Sequence, residues 1–135
     1  MAIVAVAISL FQMTVTALPS DGILMMPRME QSLPQINLTN YPNPFDSRRG
    51  QTTIQYTLDQ DRRVTIHIYD VFGGKVKTMS FEGGQEGGRQ GTNNVYWDGT
   101  TSSGSKVSKG IYLCMLEIEN SGGSSNTMIK IGVIH

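Results

Sequence analysis

The side chains that could do chemistry here are few and far apart. His67 and His135 are the two histidines, and Cys114 is the one cysteine. A nucleophile-His-acid triad would need His67 beside a Ser and an Asp from other segments, and no spacing proposes such a trio. Two separated histidines and one thiol do not make a metal site either. Asp98, Thr100, Thr101 and Ser103 put four oxygens on one segment. With a single carboxylate, that segment reads as a turn in which Asp98 bonds backbone amides, ahead of weak calcium binding. Residues 82–91 hold five glycines. They lack the strand-loop-helix context of a phosphate cradle and read as the most flexible stretch. No cofactor, no metal and no small-molecule substrate is expected, and the chain does not read as an enzyme.

Composition narrows the partners. Eleven Lys and Arg balance eleven Asp and Glu in 135 residues. That balance leaves no electrostatic footprint for nucleic acid and no basic face for an anionic membrane. Fifteen glycines and 16% charged residues suit short strands joined by turns. One cysteine cannot form an intrachain disulfide, so packing must hold the fold. Cys114 sits among apolar neighbours and reads as a buried small hydrophobe.

The segments that must position these groups follow a period of two. In residues 52–58, Ile54, Tyr56 and Leu58 share one face. In 64–69, Val64, Ile66 and Ile68 do the same, and the charged residues 59–62 between them predict a β-hairpin. Residues 75–81 form a weaker strand with Val76 and Met79 inward. Residues 92–97 lead into Asp98-Gly99, a strong turn signal. In 110–119, Tyr112, Cys114, Leu116 and Ile118 share one face while Ile111, Leu113 and Met115 share the other, which predicts cover on both sides. Residues 127–134 place Ile129, Ile131 and Val133 inward and Lys130 outward. A further short strand ends near Tyr41, because Pro42 and Pro44 remove ladder donors. Phe45 is expected to fold back as a plug at the core's edge. The core should centre on Trp97, Tyr112, Ile66, Ile68 and Leu116. About seven strands with turns between them predict an all-β, antiparallel, Ig-like β-sandwich.

Residues 1–17 are apolar and uncharged, end in Val15-Thr16-Ala17, and read as a secretory signal peptide cut after Ala17. The segment has no Lys or Arg near Met1. The alternative is a strand given to a neighbour, since Ile3, Val4, Val6 and Ile8 are β-branched. Residues 18–37, with Pro19, Pro27 and Pro34, read as an extended linker, and 38–135 as the domain. Asn37-Leu38-Thr39 matches a glycosylation sequon, a short pattern that carries little weight on its own.

The motifs also carry a resemblance. Trp97-Asp98-Gly99, a spacer with Gly104, Val107, then Ser108-Lys109-Gly110-Ile111-Tyr112 resembles the Ig-like domain of flagellar hook-capping proteins. The chain is equally similar to the C-terminal sorting domain of type IX secretion cargo. Tyr41-Pro42-Asn43-Pro44-Phe45 looks like that domain's opening Pro-x-Pro motif. Gly110-Ile111-Tyr112 matches its Gly-x-Tyr motif, and Met128-Ile129-Lys130-Ile131 its closing Lys-containing strand. The resemblance covers residues 38–135.

It implies a non-catalytic domain read by the outer-membrane secretion machinery, cut by a surface sortase-like protease, and located at the cell surface or outside the cell. Pro42, Pro44, Gly110, Tyr112 and Lys130 would be its signal elements. No separate cargo fits in the remaining residues, so the chain reads either as a piece of a longer protein or as its own product. The second reading is a structural Ig-like subunit of an extracellular filament or pilus, joining other protomers of itself by strand exchange. A hook-capping scaffold is a third.

Overall fold

Alternation of apolar and polar residues accounts for nearly every strand in the computed structural model, which describes residues 36–135. The signal-peptide segment 1–17, with its rival reading as a donated strand, and linker residues 18–35 lie outside the described residues. Among the described residues there are seven strands and no helix: β1 (Thr39–Tyr41), β2 (Thr52–Leu58), β3 (Val64–Tyr69), β4 (Lys75–Phe81), β5 (Gly91–Trp97), β6 (Gly110–Asn120) and β7 (Gly123–Val133). All strand pairs are antiparallel. One sheet has the order β1-β2-β5 and the other β4-β3-β6-β7. The result is the expected Ig-like sandwich.

The two sheets bury their alternating apolar rows against each other. Ile54, Tyr56 and Leu58 of β2 face inward, as do Val64, Ile66 and Ile68 of β3 and Tyr112, Cys114, Leu116 and Ile118 of β6. Each fully buried Ile or Leu contributes roughly 1.5–3 kcal/mol of apolar transfer free energy. Trp97 joins this core from the end of β5.

The expected hairpin between β2 and β3 does not form. β2 pairs with β1 and β5, whereas β3 pairs with β4 and β6. Residues 59–63 instead carry the chain from one sheet to the other. Arg62 grips Asp59 through Nε at 2.9 Å, and its amide donates to Gly88 O at 3.0 Å. Two neighbouring strands with one apolar face each can pair side by side or face each other across a core, and here they face.

The glycine-rich segment 82–91 also departs from its reading as the most flexible stretch. Gly87 and Gly88 are buried. Tyr56 Oη donates to Gly87 O at 2.6 Å. Buried Asn93 accepts at Oδ1 from the amides of Gly87 and Arg89, and its Nδ2 donates to Arg89 O at 2.7 Å. One carboxamide thus satisfies several loop groups that would otherwise be buried without partners.

In β4, Val76 and Met79 both pack against the core although they are three residues apart. A register shift opposite Ile68 and Tyr69 inserts Val76 as an extra residue, so the period of two is broken once. The outer face of β6 is not covered as expected: Ile111 is half exposed, and Leu113 and Met115 are only partly buried.

Candidate recognition surface

Three separated motifs meet at one end of the sandwich, around the last residues of β7. The end is set by strand register: Gly110 of β6 lies opposite Val133, Tyr112 opposite Ile131 and Leu113 opposite Lys130. The Pro-x-Pro segment reaches the same place from the other sheet. Two prolines cannot donate to a ladder, so β1 stops at Tyr41 and the chain crosses to the open edge of β7. There Phe45 makes a short parallel bridge with Val133. Its amide donates to Gly132 O at 2.9 Å, and Ile134 N donates to Phe45 O at 3.0 Å.

Asn43, between the prolines, does the clamping. Its Nδ2 donates to Lys130 O at 2.9 Å, and its Oδ1 accepts from Gly132 N at 2.8 Å. The same Nδ2 lies 3.1 Å from Asn40 Oδ1, Asn40 Nδ2 donates to Thr52 Oγ1, and Thr52 Oγ1 donates to Pro42 O. This chain of hydrogen bonds runs from the first strand of one sheet to the last strand of the other. A side chain at Gly132 would meet Pro44, since an added Cβ would lie 3.0 Å from the Pro44 Cβ.

Behind this corner stands an aromatic row. Phe45 meets Trp97 edge-to-face at 5.6 Å, and Trp97 meets Tyr112 at 5.7 Å. Trp97 Nε1 donates to Thr100 O at 2.9 Å, and Tyr112 Oη donates to Ser108 O at 2.6 Å, four residues upstream. The second bond has the form of a tyrosine corner. Burial, and then the Asp70 charge, push the Tyr112 phenol above its ordinary pKa.

The loop after Trp97 is built by Asp98. Its Oδ1 accepts from Thr100 N at 3.1 Å and Thr100 Oγ1 at 2.6 Å. The Thr100 hydroxyl hydrogen bond holds the Asp98 carboxyl below the usual range, against its partial desolvation. Lys106 Nζ donates to the carbonyls of Ser47 and Asp98, at 2.8 and 2.7 Å, which ties this loop to residues 45–47. No group of three His, Cys, Asp or Glu side chains is placed to hold a metal among the described residues. His67 lies on the outer face with Nε2 3.1 Å from Glu117 Oε1. Cys114 is fully buried, and desolvation pushes its thiol up to about 12.

Of the five signal residues named from sequence, Pro42, Pro44, Gly110 and Lys130 are exposed at this corner. Tyr112 is 7% exposed and points into the core. Trp97, Ile66, Ile68 and Leu116 are also buried. Sequence reasoning passed over Asn43, Asn93 and Lys106, which hold the loops together. The legible clue was an asparagine flanked by two prolines, where a side-chain amide replaces missing backbone donors.

A profile of the FlgD Ig-like domain matches residues 43–122. Among solved structures, PorU from Porphyromonas gingivalis, in its dimeric latent form, is similar over 78% of this chain and 10% of its own, with 22% identity and a TM-score of 0.61. This chain therefore spans about a tenth of that protein. FlgD from P. aeruginosa is similar over 65% of each chain, with 20% identity and a TM-score of 0.54. FlgD from Xanthomonas campestris, described in connection with hook capping, is similar over 71% of this chain and 66% of its own, with 19% identity and a TM-score of 0.53. At these identities the likeness is one of fold. No curated protein matches the chain. The profile spans more than half of the residues and includes the Trp97 turn and the Gly-x-Tyr strand, and on that ground the chain belongs to the FlgD Ig-like domain family.

Proposed function

We propose that this domain is a secretion address, bound as a folded surface by the type IX outer-membrane export machinery and then by a surface sortase-like protease. Its destination on this reading is the cell surface or the medium. The observation that carries the proposal is the convergence of the Pro-x-Pro, Gly-x-Tyr and Lys-strand motifs on residues 130–133. Asn43 and Lys130, 87 residues apart, bring these motifs into one corner through the Asn43 clamp. Pro42, Pro44, Gly110 and Lys130 offer the readable surface, and Tyr112 supports it from the core. The domain acts by being bound and performs no chemistry of its own. The filament reading draws on strand exchange by residues 1–17, which lie outside the described residues, or by the last strand, β7.

The test is retargeting. Residues 36–135 fused behind a Sec-exported reporter should move it from periplasm to surface in a host with type IX machinery. A reporter that stays periplasmic while the domain is folded would defeat the proposal.

A further inference from the structure

The same four-stranded sheet carries a protruding apolar tip at one end and an open polar cleft at the other. The tip is the β3–β4 turn. Phe72 is 94% exposed and Val71 59%. The turn is held firmly: Asp70 Oδ1 accepts from Phe72 N at 2.9 Å and Gly74 N at 2.8 Å, and Asp70 N donates to Gly74 O at 2.9 Å. A large aromatic on a preorganised turn loses little entropy on binding and is a strong anchor. The cleft lies at the opposite end, lined by Arg63, Thr65, Glu117, Glu119, Gly123 and Ser124, with a volume of about 360 Å³. It has room for one aromatic side chain.

Charge makes the two ends complementary, although the whole chain is neutral. Lys75 is exposed beside the tip, and Lys109 and Lys130 are exposed at the same end, where Arg48 and Arg49 are paired with Asp46 at 3.8 and 3.5 Å. The acidic groups there, Asp46, Asp70 and Asp98, accept hydrogen bonds from their own loops. The cleft end carries six carboxylates, Asp59, Asp61, Glu82, Glu86, Glu117 and Glu119, against three arginines: Arg62 paired with Asp59, Arg63 paired with Glu82 at 3.7 Å, and exposed Arg89, while Asp61 accepts from Gln90 N.

From this we propose that copies of the domain associate head to tail, with Val71 and Phe72 of one copy seated in the Arg63–Glu117–Glu119 cleft of the next. The Arg63 guanidinium would meet the Phe72 ring and the cleft carboxylates would meet Lys75. The proposal does not rest on the secretion reading, although both use the end of the domain that carries Lys130. Tip and cleft are different surfaces, so the contact is heterologous and leaves a free tip and a free cleft on every open assembly.

Analytical ultracentrifugation of the full chain tests it. At low salt the average mass should rise with concentration and pass that of a dimer. About 0.5 M salt should weaken association, because charge screening then acts within a few ångströms. Phe72→Ser removes the tip, and Glu119→Lys spoils the cleft. Both residues are exposed, and circular dichroism should show each variant folded. Each should weaken self-association about tenfold or more. Mixed together, they should form a 1:1 dimer and nothing larger, since only one good tip and one good cleft remain. A chain that stays monomeric at every concentration, association untouched by either substitution, or a mixture that stays monomeric would each overturn the proposal.

Discussion

The Asn43 carboxamide and the Gly132 amide are joined by a 2.8 Å hydrogen bond across 89 positions of sequence. Together with the bond from Asn43 to Lys130 O, it fastens the Pro-x-Pro segment to the edge of the last strand. An exposed strand edge invites pairing with another chain, and here part of that edge is occupied by the protein's own backbone.

Asn43→Leu should therefore lower stability by about 1–3 kcal/mol, the usual effect of losing two modest hydrogen bonds. For a domain of this size that is a drop in Tm of roughly 4–8 °C per kcal/mol. Calorimetry reads it directly. A Tm equal to the parent's would mean that the clamp contributes nothing.

Trp97→Ala should cost on the order of 3–5 kcal/mol, because it removes the middle member of the Phe45–Trp97–Tyr112 row. In a domain without disulfides, that approaches the whole of a typical stability. Urea unfolding should show a large fall in midpoint, and an unchanged midpoint would contradict Trp97 as a core anchor.

Gly99→Ala should be disproportionately harmful for the addition of one methyl group. Gly99 has φ of 86°, and a Cβ there would lie 2.7 Å from the Ser47 Cβ. Strained backbone of this kind costs about 1–3 kcal/mol, before the crowding of Ser47 is added. Thermal unfolding of Gly99→Ala beside Gly104→Ala separates the two causes, since Gly104 also has positive φ but open space around it. The Gly99 variant should be the less stable of the pair.

Alkali should destabilise the domain through Cys114. Its folded pKa is raised by burial from 9.0 to about 12. The folded state therefore holds the thiol proton more tightly than the unfolded state does. This contribution is fully present below about pH 9 and is lost as pH rises toward 12, with a slope of up to about 1.4 kcal/mol per pH unit. Burial, and then Cys114 itself, raise the Tyr56 phenol in the same direction. Cys114→Val should flatten the decline between about pH 9 and 11 in denaturation midpoints. An equally steep decline in the variant would assign the effect elsewhere.

Lys130→Ala should leave folding within about 0.5 kcal/mol of the parent, as for ordinary surface changes. The side chain is exposed, and the hydrogen bond from Asn43 uses the Lys130 backbone carbonyl, which alanine keeps. Export of the fused reporter should nonetheless fall. Full export by the variant would remove Lys130 from the signal, and an unfolded variant would show the lysine to be structural.

Strand positions and inward faces were legible from the sequence because alternation is local. The rows Ile54-Tyr56-Leu58 and Val64-Ile66-Ile68 declare which side is apolar without reference to any partner. Phe45 as an edge plug followed from two prolines that stop a strand. Pairing was not legible in the same way. β2 and β3 show the same alternation whether they lie side by side or face each other, and only burial of both rows in one core put them in opposite sheets. The bulge at Val76 was hidden because a broken period looks like a weak strand. The glycine-rich segment 82–91 looked loose because its ties come from Tyr56 and Asn93, outside its own length. The corner around Lys130 shows the same division. Sequence alone determined which motifs the chain carries and in what order. The tertiary structure decided that they meet, because hydrogen bonds from Asn43 and Phe45 to the edge of β7 exist only where the two sheets are packed against each other.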